Sequence, residues 1–269
     1  MSLLSTREIT VPADRDGTIR LDDVTMEFRT RDGGTIRAVD DATLRIPSGQ
    51  FVSVLGPSGC GKSTLLRIIA GLAAPTTGAV SIGPKEINGP SRQVGIAFQS
   101  PSLLDWYTIA ENIALPARMG KKSTLDDKAL KARVEELLDM VKLSGLGNKY
   151  PKELSGGMRQ RVAIARALIN DPSVILMDEP FGALDAITRE HMHDELLAIW
   201  ERSKATVFFI THDISEAVYL SDRVITMSPR PGRIVSDITI DLPRPRGEET
   251  RRMPEFARLA ADLRQYISH

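Results

Sequence analysis

Residues 56 to 64 read Gly56-Pro57-Ser58-Gly59-Cys60-Gly61-Lys62-Ser63-Thr64. Gly56, Gly61, Lys62 and Ser63 fall at the fixed positions of G-x-x-x-x-G-K-[ST], a spacing that suits a phosphate chain. Glycines let the backbone approach closely, so that several N–H groups point inward at phosphate oxygens. The Lys62 ammonium neutralises outer phosphates, and the Ser63 hydroxyl is a ligand for Mg²⁺. A glycine-rich turn followed by a chance Lys-Ser would need no particular flanks. Here Phe51 to Leu55 reads as a short buried strand, and Thr64 to Ala70 reads as the start of a helix. Strand, loop and helix in that order aim the positive end of the helix at the anion. The stretch predicts a nucleotide site.

The elements around it alternate. Ile19 to Phe28 and Ala38 to Ile46 read as strands of an antiparallel layer ahead of the phosphate-loop strand. Ala79 to Ile82 and Val94 to Phe98 are further apolar runs of strand length. From Thr108 to Leu143 the period becomes helical, with Leu130, Val134, Leu137, Leu138 and Val141 on one face. Pro116 and the Gly145–Gly147 region are expected to divide this part into separate helices. Strands at Val174 to Met177, Thr206 to Ile210 and Arg223 to Met227 then alternate with helices at about 157–169, 188–203 and 214–220, and 233–242 reads as a last strand. Mostly helical residues set into an α/β chain imply a core carrying a helical subdomain. In the tail, Phe256, Leu259, Ala260, Leu263 and Ile267 share one helical face, which favours packing back onto the domain over a membrane-surface helix.

Composition removes several function classes. Of 269 residues, 42% are apolar and 26% charged, an ordinary globular balance. Thirty-five basic and thirty-five acidic side chains cancel, which gives nucleic acid no footing as the main partner. No run is long enough to cross a bilayer and no leader peptide is legible, so a cytoplasmic protein is expected, with membrane contact made through a partner. A single cysteine, Cys60, excludes an intrachain disulfide and multi-cysteine metal sites, and four scattered histidines speak against a histidine metal site. Because that thiol lies inside the phosphate loop, its alkylation is expected to block the site, with bound nucleotide protecting it.

Leu154-Ser-Gly-Gly-Met-Arg-Gln-Arg161 adds a second anion-binding feature, a hydroxyl and two bare amides at a helix N-terminus. By itself it is equally an ordinary helix start with Ser155 as N-cap. Downstream of a phosphate loop it resembles the signature sequence of the ATP-binding cassette (ABC) family, with Met158 in place of the commoner Gln. The resemblance runs from about Ile19 to Leu242. It implies a P-loop NTPase (RecA-like) α/β core with an antiparallel β-subdomain and an inserted α-helical subdomain. By this reading residues 1–18 are a loose arm, 19–244 the ATPase domain with its helical insert at about 100–156, and 245–269 a helical tail.

The same resemblance assigns roles to particular residues. Val174 to Pro180 is similar to a Walker B strand, with Asp178 serving Mg²⁺ through water and Glu179 polarising the attacking water. Gln99 matches the Q-loop residue that reaches metal and water, Asp185 the D-loop, and His212 the switch histidine at the γ-phosphate. Phe28 is the candidate to stack on adenine, with core packing as its competitor. Such ATPases work as head-to-tail pairs, so ATP and Mg²⁺ held by the phosphate loop and Gln99 of one copy would be closed over by Ser155, Gly156 and Gly157 of the other.

Phe181 to Arg189, Ser228 to Ile234 and Asp241 to Pro245 look like the ATPase subunits of nitrate, sulfonate and taurine importers, a group that includes carriers of heterocyclic vitamin precursors. The implied partners are a second ATPase copy, integral membrane permease subunits and, indirectly, an extracytoplasmic solute-binding protein. The implied place is the inner face of the cell membrane. Asp105-Trp-Tyr-Thr108 departs from the Pro-Trp-x-Thr usual there. Trp106 and Tyr107 lie either near a groove for the permease or in the subdomain core. A soluble ABC ATPase outside transport is the rival reading, although it usually carries two cassettes, coiled coils or basic extensions.

Overall fold

The computed structural model describes residues 16–119 and 126–267, so most of the expected N-terminal arm lies outside the described residues. The chain opens with β1 (Ile19–Arg29) and β2 (Thr35–Ile46), then β3 (Phe51–Leu55), α1 (Lys62–Ile69), β4 (Thr77–Ile82), β5 (Lys85–Glu86) and β6 (Val94–Ala97). Helices α2 (Ile109–Arg118), α3 (Asp127–Met140) and α4 (Gly156–Leu168) follow. The α/β alternation then resumes with β7 (Val174–Asp178), α5 (Ala186–Ser203), β8 (Thr206–Ile210), α6 (Ile214–Leu220), β9 (Arg223–Met227) and β10 (Ile234–Thr239). Helices α7 (Glu248–Arg252) and α8 (Pro254–Ile267) close it.

Two sheets result. The antiparallel one runs β2-β1-β4-β5, and its strands alternate: Ile19, Leu21 and Val24 are buried while Arg20, Asp22 and Asp23 are exposed. The other runs β10-β9-β3-β8-β7-β6 and is parallel except for β10. Every residue of β3 and β8 is buried, as central strands covered on both faces require. Helix α1 packs between the sheets in one apolar core that holds Val52, Val54, Leu65, Ile68 and Phe208. The opposite face of the large sheet carries the second core, where Phe51 meets Trp200 edge-on at 5.7 Å between ring centroids.

Register decides where the chemistry can sit. Val54 and Asp178 both pair with Ile210, so the C-terminal ends of β3, β7 and β8 finish level with one another. The loops leaving those three ends carry the phosphate loop, Glu179 and His212. In open parallel sheets this edge is where ligands bind.

The helical part departs from expectation at one point. Pro116 does not break a helix but lies inside α2, which runs on to Arg118. Its ring forfeits one intrahelical bond near the helix end, a cost that burial of Ile109, Ile113 and Ala117 outweighs. Asn112, fully buried, holds the preceding loop: it accepts from the Leu104 N–H at 2.8 Å and donates to the carbonyls of Leu104, Tyr107 and Thr108. That loop presents Trp106 with 72% of its surface exposed, which removes the core reading for it, while Tyr107 is half-buried. In the tail, Phe256, Leu259, Ala260 and Leu263 are buried in the second core, so the tail packs back onto the domain as its pattern predicted, while the side chain of Ile267 lies outside the described residues.

Candidate functional site

A cavity of about 340 Å³ opens over the phosphate loop. Ser58, Gly59, Gly61, Lys62, Ser63 and Thr64 line one side, Phe28, Ile36 and Ala38 another, and Glu179 and Arg230 complete it. Phe28 is 45% exposed, so it is not spent on core packing and keeps an accessible ring. Gly61 has φ +109°, and a Cβ there would lie 2.6 Å from the Ala38 carbonyl oxygen. Only glycine lets β2 and the loop come that close. Gly61 caps α1 without a side-chain bond, which leaves first-turn N–H groups for an anion. The Lys62 ammonium, 6% exposed, donates to the carbonyls of Gly56 at 2.7 Å and Pro57 at 3.0 Å. A buried cation partnered by two loop carbonyls and, at 3.9 Å, the Cys60 sulfur, with no carboxylate to neutralise it, is matched to a polyphosphate.

Of the two acids, Glu179 lines the cavity, and Asp178 stands just before it at the end of β7. The Ser63 hydroxyl donates to Asp178 Oδ1 at 3.1 Å, joining the helix start to the end of β7. Burial pushes the Asp178 carboxyl above its ordinary range, against the pull of the Ser63 bond. One hydroxyl and one desolvated carboxylate are an incomplete cation site, and Mg²⁺ suits such sites because phosphate oxygens and waters supply its remaining ligands. Glu179 has φ +44°, a left-handed conformation costing about 1–3 kcal/mol for a non-glycine residue. Its N–H donates to the Ile210 carbonyl at 3.0 Å, which over-determines that turn. Its carboxylate then reaches His212 Nδ1 at 3.1 Å.

The remaining residues sit apart. Gln99 is exposed beyond β6 and does not line the cavity; its Nε2 lies beside the turn at Gly182. Ser155 caps α4, accepting from the Met158 N–H at 3.3 Å, and Gly156 and Gly157 form the first turn next to Leu184 and Thr188. Asp185 caps α5, accepting from the Thr188 N–H at 3.0 Å, and this bond holds its carboxyl below the usual range. Neither the Ser155 turn nor Asp185 lines the cavity of its own chain. Cys60 corrects an expectation: its backbone belongs to the loop, but its thiol is 1% exposed and packs into the apolar core with Met227 and Ile69. It does not face the cavity, so a reagent has no open path to it.

One contributor escaped the sequence. The turn from Ser228 to Arg233, between β9 and β10, braces the phosphate loop from outside. Arg230 donates twice to the Gly59 carbonyl, at 3.2 and 3.0 Å. Gly232 exchanges backbone bonds with β2, donating to Ala38 O and accepting from Asp40 N, both at 3.0 Å, and a Cβ on it would lie 1.9 Å from the Cys60 carbonyl oxygen. Asp40, buried on β2, accepts from Arg233 and Arg37, which hold its carboxyl below the ordinary range. Two prolines around an arginine mark a turn; nothing in the string says that the turn folds over a loop some 170 residues away.

A phosphate loop after a central parallel strand, level with a Walker-type acid and a strand-end histidine, defines a P-loop nucleotide hydrolase. Residues 39–182 match the ABC transporter family. The chain is 45% identical over 249 residues to the aliphatic sulfonates import ATP-binding protein SsuB of Bacillus cereus, covering 93% of this chain and 96% of that one. It is 49% identical over 214 residues to an uncharacterised ABC transporter ATP-binding protein of Methanocaldococcus jannaschii, 80% and 79% of the two chains. Among solved structures, a dimeric ATP-binding cassette in a post-hydrolysis state with ADP and Pi superimposes with a TM-score of 0.72 at 35% identity, over 85% of this chain and 99% of that one. The chain belongs to the ABC transporter family, as an ATP-hydrolysing cassette of the sulfonate, nitrate and taurine importer type. No helix among the described residues is long and apolar enough to cross a membrane.

Proposed function

We propose that this ATPase works as a head-to-tail pair that energises import of an aliphatic sulfonate or a related small anion through membrane permease subunits, from the inner face of the cell membrane. The level ends of β3, β7 and β8 carry this reading, because they bring Lys62, Asp178, Glu179 and His212 to one edge. Adenine stacks on Phe28. The phosphates lie along residues 56 to 64, where Lys62 exchanges its loop carbonyls for phosphate oxygens. Ser63 and Asp178 would hold Mg²⁺, with Gln99 near enough in its turn to join them. When bound, Mg²⁺ neutralises phosphate charge. Glu179 accepts a proton from the attacking water, and His212, oriented by its bond to Glu179, donates toward the γ-phosphate.

Ser155 and Gly156 are exposed, Gly157 is half-buried, and all three lie outside their own cavity, so they serve the nucleotide of a second copy. Asp185, at the adjoining helix start, carries the state of one site to the other. Trp106, held out by the Asn112-bonded loop, faces a permease segment. The sulfonate class rests on the similarity to SsuB, since an importer ATPase does not touch the solute. Glu179→Gln should still bind Mg-ATP and dimerise while turnover falls by about 10²–10⁴-fold. Single-turnover hydrolysis near the wild-type rate in that variant would remove Glu179 from the role.

A further inference from the structure

His212 stands on a turn whose other side is wired to the C-terminal tail. Thr211, immediately before it and 2% exposed, donates its hydroxyl to Glu216 Oε2 and accepts from the Asp213 N–H at 3.0 Å. Glu216, on α6 and itself buried, meets His193 Nε2 of α5 at 2.7 Å through its other oxygen. The second ring nitrogen, His193 Nδ1, lies 3.2 Å from Arg251 Nη2 in the tail. A guanidinium only donates, so Nδ1 must accept and the ring proton must sit on Nε2. Direction is thereby fixed along the whole line: Arg251 donates to His193, His193 to Glu216, and Thr211 to Glu216 from the other side. Arg251 is held for this by stacking over the Tyr219 ring at 3.6 Å, while Tyr219 donates to Asp194 of α5. Arg246, also in the tail, donates to the carbonyls of Val218, Tyr219 and Ser221 and closes the end of α6.

We infer that the tail is a support of the catalytic turn: Arg251, acting through His193, Glu216 and Thr211, is a positioning residue that holds His212 against Glu179. The inference rests on the role proposed for His212. The geometry makes the assignment specific. The Glu216 carboxylate accepts from both sides, so losing the Arg251 end frees His193 to change tautomer and turn, and Glu216 then loses one of its two donors. Buried networks of this kind stand or fall together. The phosphate loop shares no bond with the line, so nucleotide affinity is set elsewhere.

The test is a double-mutant cycle in the full-length chain, reading steady-state ATP hydrolysis with Arg251→Ala, His212→Ala and the pair. Arg251→Ala should lower kcat about 3- to 10-fold with KM for ATP within about twofold, and Arg251→Lys should recover part of the loss. The pair should be no slower than His212→Ala alone, because the support has nothing left to hold. Thr211→Val, the same size without the hydroxyl, should repeat the kcat loss, and Thr211→Ser should restore it; this arm stands even if the tail variant fails to fold. Imidazole nitrogen resonances should report the Nε2–H tautomer of His193 and its loss in Arg251→Ala. Losses that multiply in the pair, or wild-type kcat in both Arg251→Ala and Thr211→Val, would overturn the inference while leaving His212 in place. Full activity of His212→Ala would instead overturn the site assignment beneath it.

Discussion

The molecule carries two glycine-bearing helix N-termini, at α1 and α4, and they are in opposite condition. Around α1 the side chains are already engaged while first-turn N–H groups stay open: Lys62 is buried against loop carbonyls, Ser63 bonds Asp178, and Arg230 holds Gly59 from outside. Around α4 Ser155 and Gly156 stand at the surface and Gly157 is half-buried, with the Ser155 cap bond made locally. The same backbone chemistry thus appears once as a preorganised cradle and once as an open face. Preorganisation suits the half that must bind first. An open face costs a single chain little, because water satisfies exposed N–H groups, and it becomes useful only when a second surface brings a phosphate to it.

The largest test of that contrast is Gly157→Asp. An acid in the first turn suits α4 itself, and the Cβ would meet Thr188 Cγ2 at a tolerable 3.4 Å, so the chain should fold. Facing a partner's phosphates it becomes a repulsive charge, and hydrolysis should fall by about 10²-fold or more while nucleotide binding by the isolated chain stays within about twofold. Equilibrium binding of a fluorescent nucleotide measures the second quantity. A comparable loss there would mean that the two features are not separate half-sites.

Arg230→Ala probes the cradle from its outer side and should do less. It removes two charge-assisted bonds to the Gly59 carbonyl without touching the acids, so KM for ATP should rise about 3- to 10-fold with kcat little changed. A kcat loss at unchanged KM would place Arg230 in the chemistry instead. Asp40→Asn loosens the same brace where it joins β2. The Asp40 carboxyl titrates below its unfolded value, so the native state binds protons less readily than the unfolded chain. The stability it adds is fully present above about pH 4 and fades as pH falls through the lowered native pKa. Urea midpoints of wild type and variant should therefore differ at pH 7 and converge in acid. Midpoints that stay equally far apart at low pH would show that Asp40 acts by shape and not by charge.

How much of this was legible depended on the range of the interaction. The phosphate loop, the strand before it and the helical insert are written locally, as contiguous spacing and period, and the α/β core with its two appended parts was readable from them. The closeness of Glu179 to His212 is a matter of register between β7 and β8, which no local pattern states; a known family order supplied it. Arg230 and Gly232 were quoted in a recognisable string yet given no task, since their partners Gly59 and Cys60 are reached only when β9 lies beside β3. Pro116 misled for the opposite reason. Its local cost is real, but one missing bond near the end of α2 is outweighed by burial of Ile109, Ile113 and Ala117.

Cys60 gives the smallest and sharpest test, because position in the loop and direction of the side chain point to different outcomes. By position, a thiol reagent should be excluded by ATP and should inactivate. By direction, the thiol sits under the loop, 1% exposed, 3.9 Å from the Lys62 ammonium and wedged against Gly56, where a Cβ would already lie 2.9 Å from its sulfur. A buried thiol reacts only when the chain opens around it. Labelling of the native protein should be slow, should become rapid and stoichiometric in denaturant, and should report local opening. Bound nucleotide would slow it only as far as it stabilises the native state, in proportion to ligand concentration over Kd. Fast labelling of the folded chain that saturating ATP abolishes outright would put the thiol inside the cradle. The cradle would then be looser than the bonds of Lys62 and Arg230 to its carbonyls require.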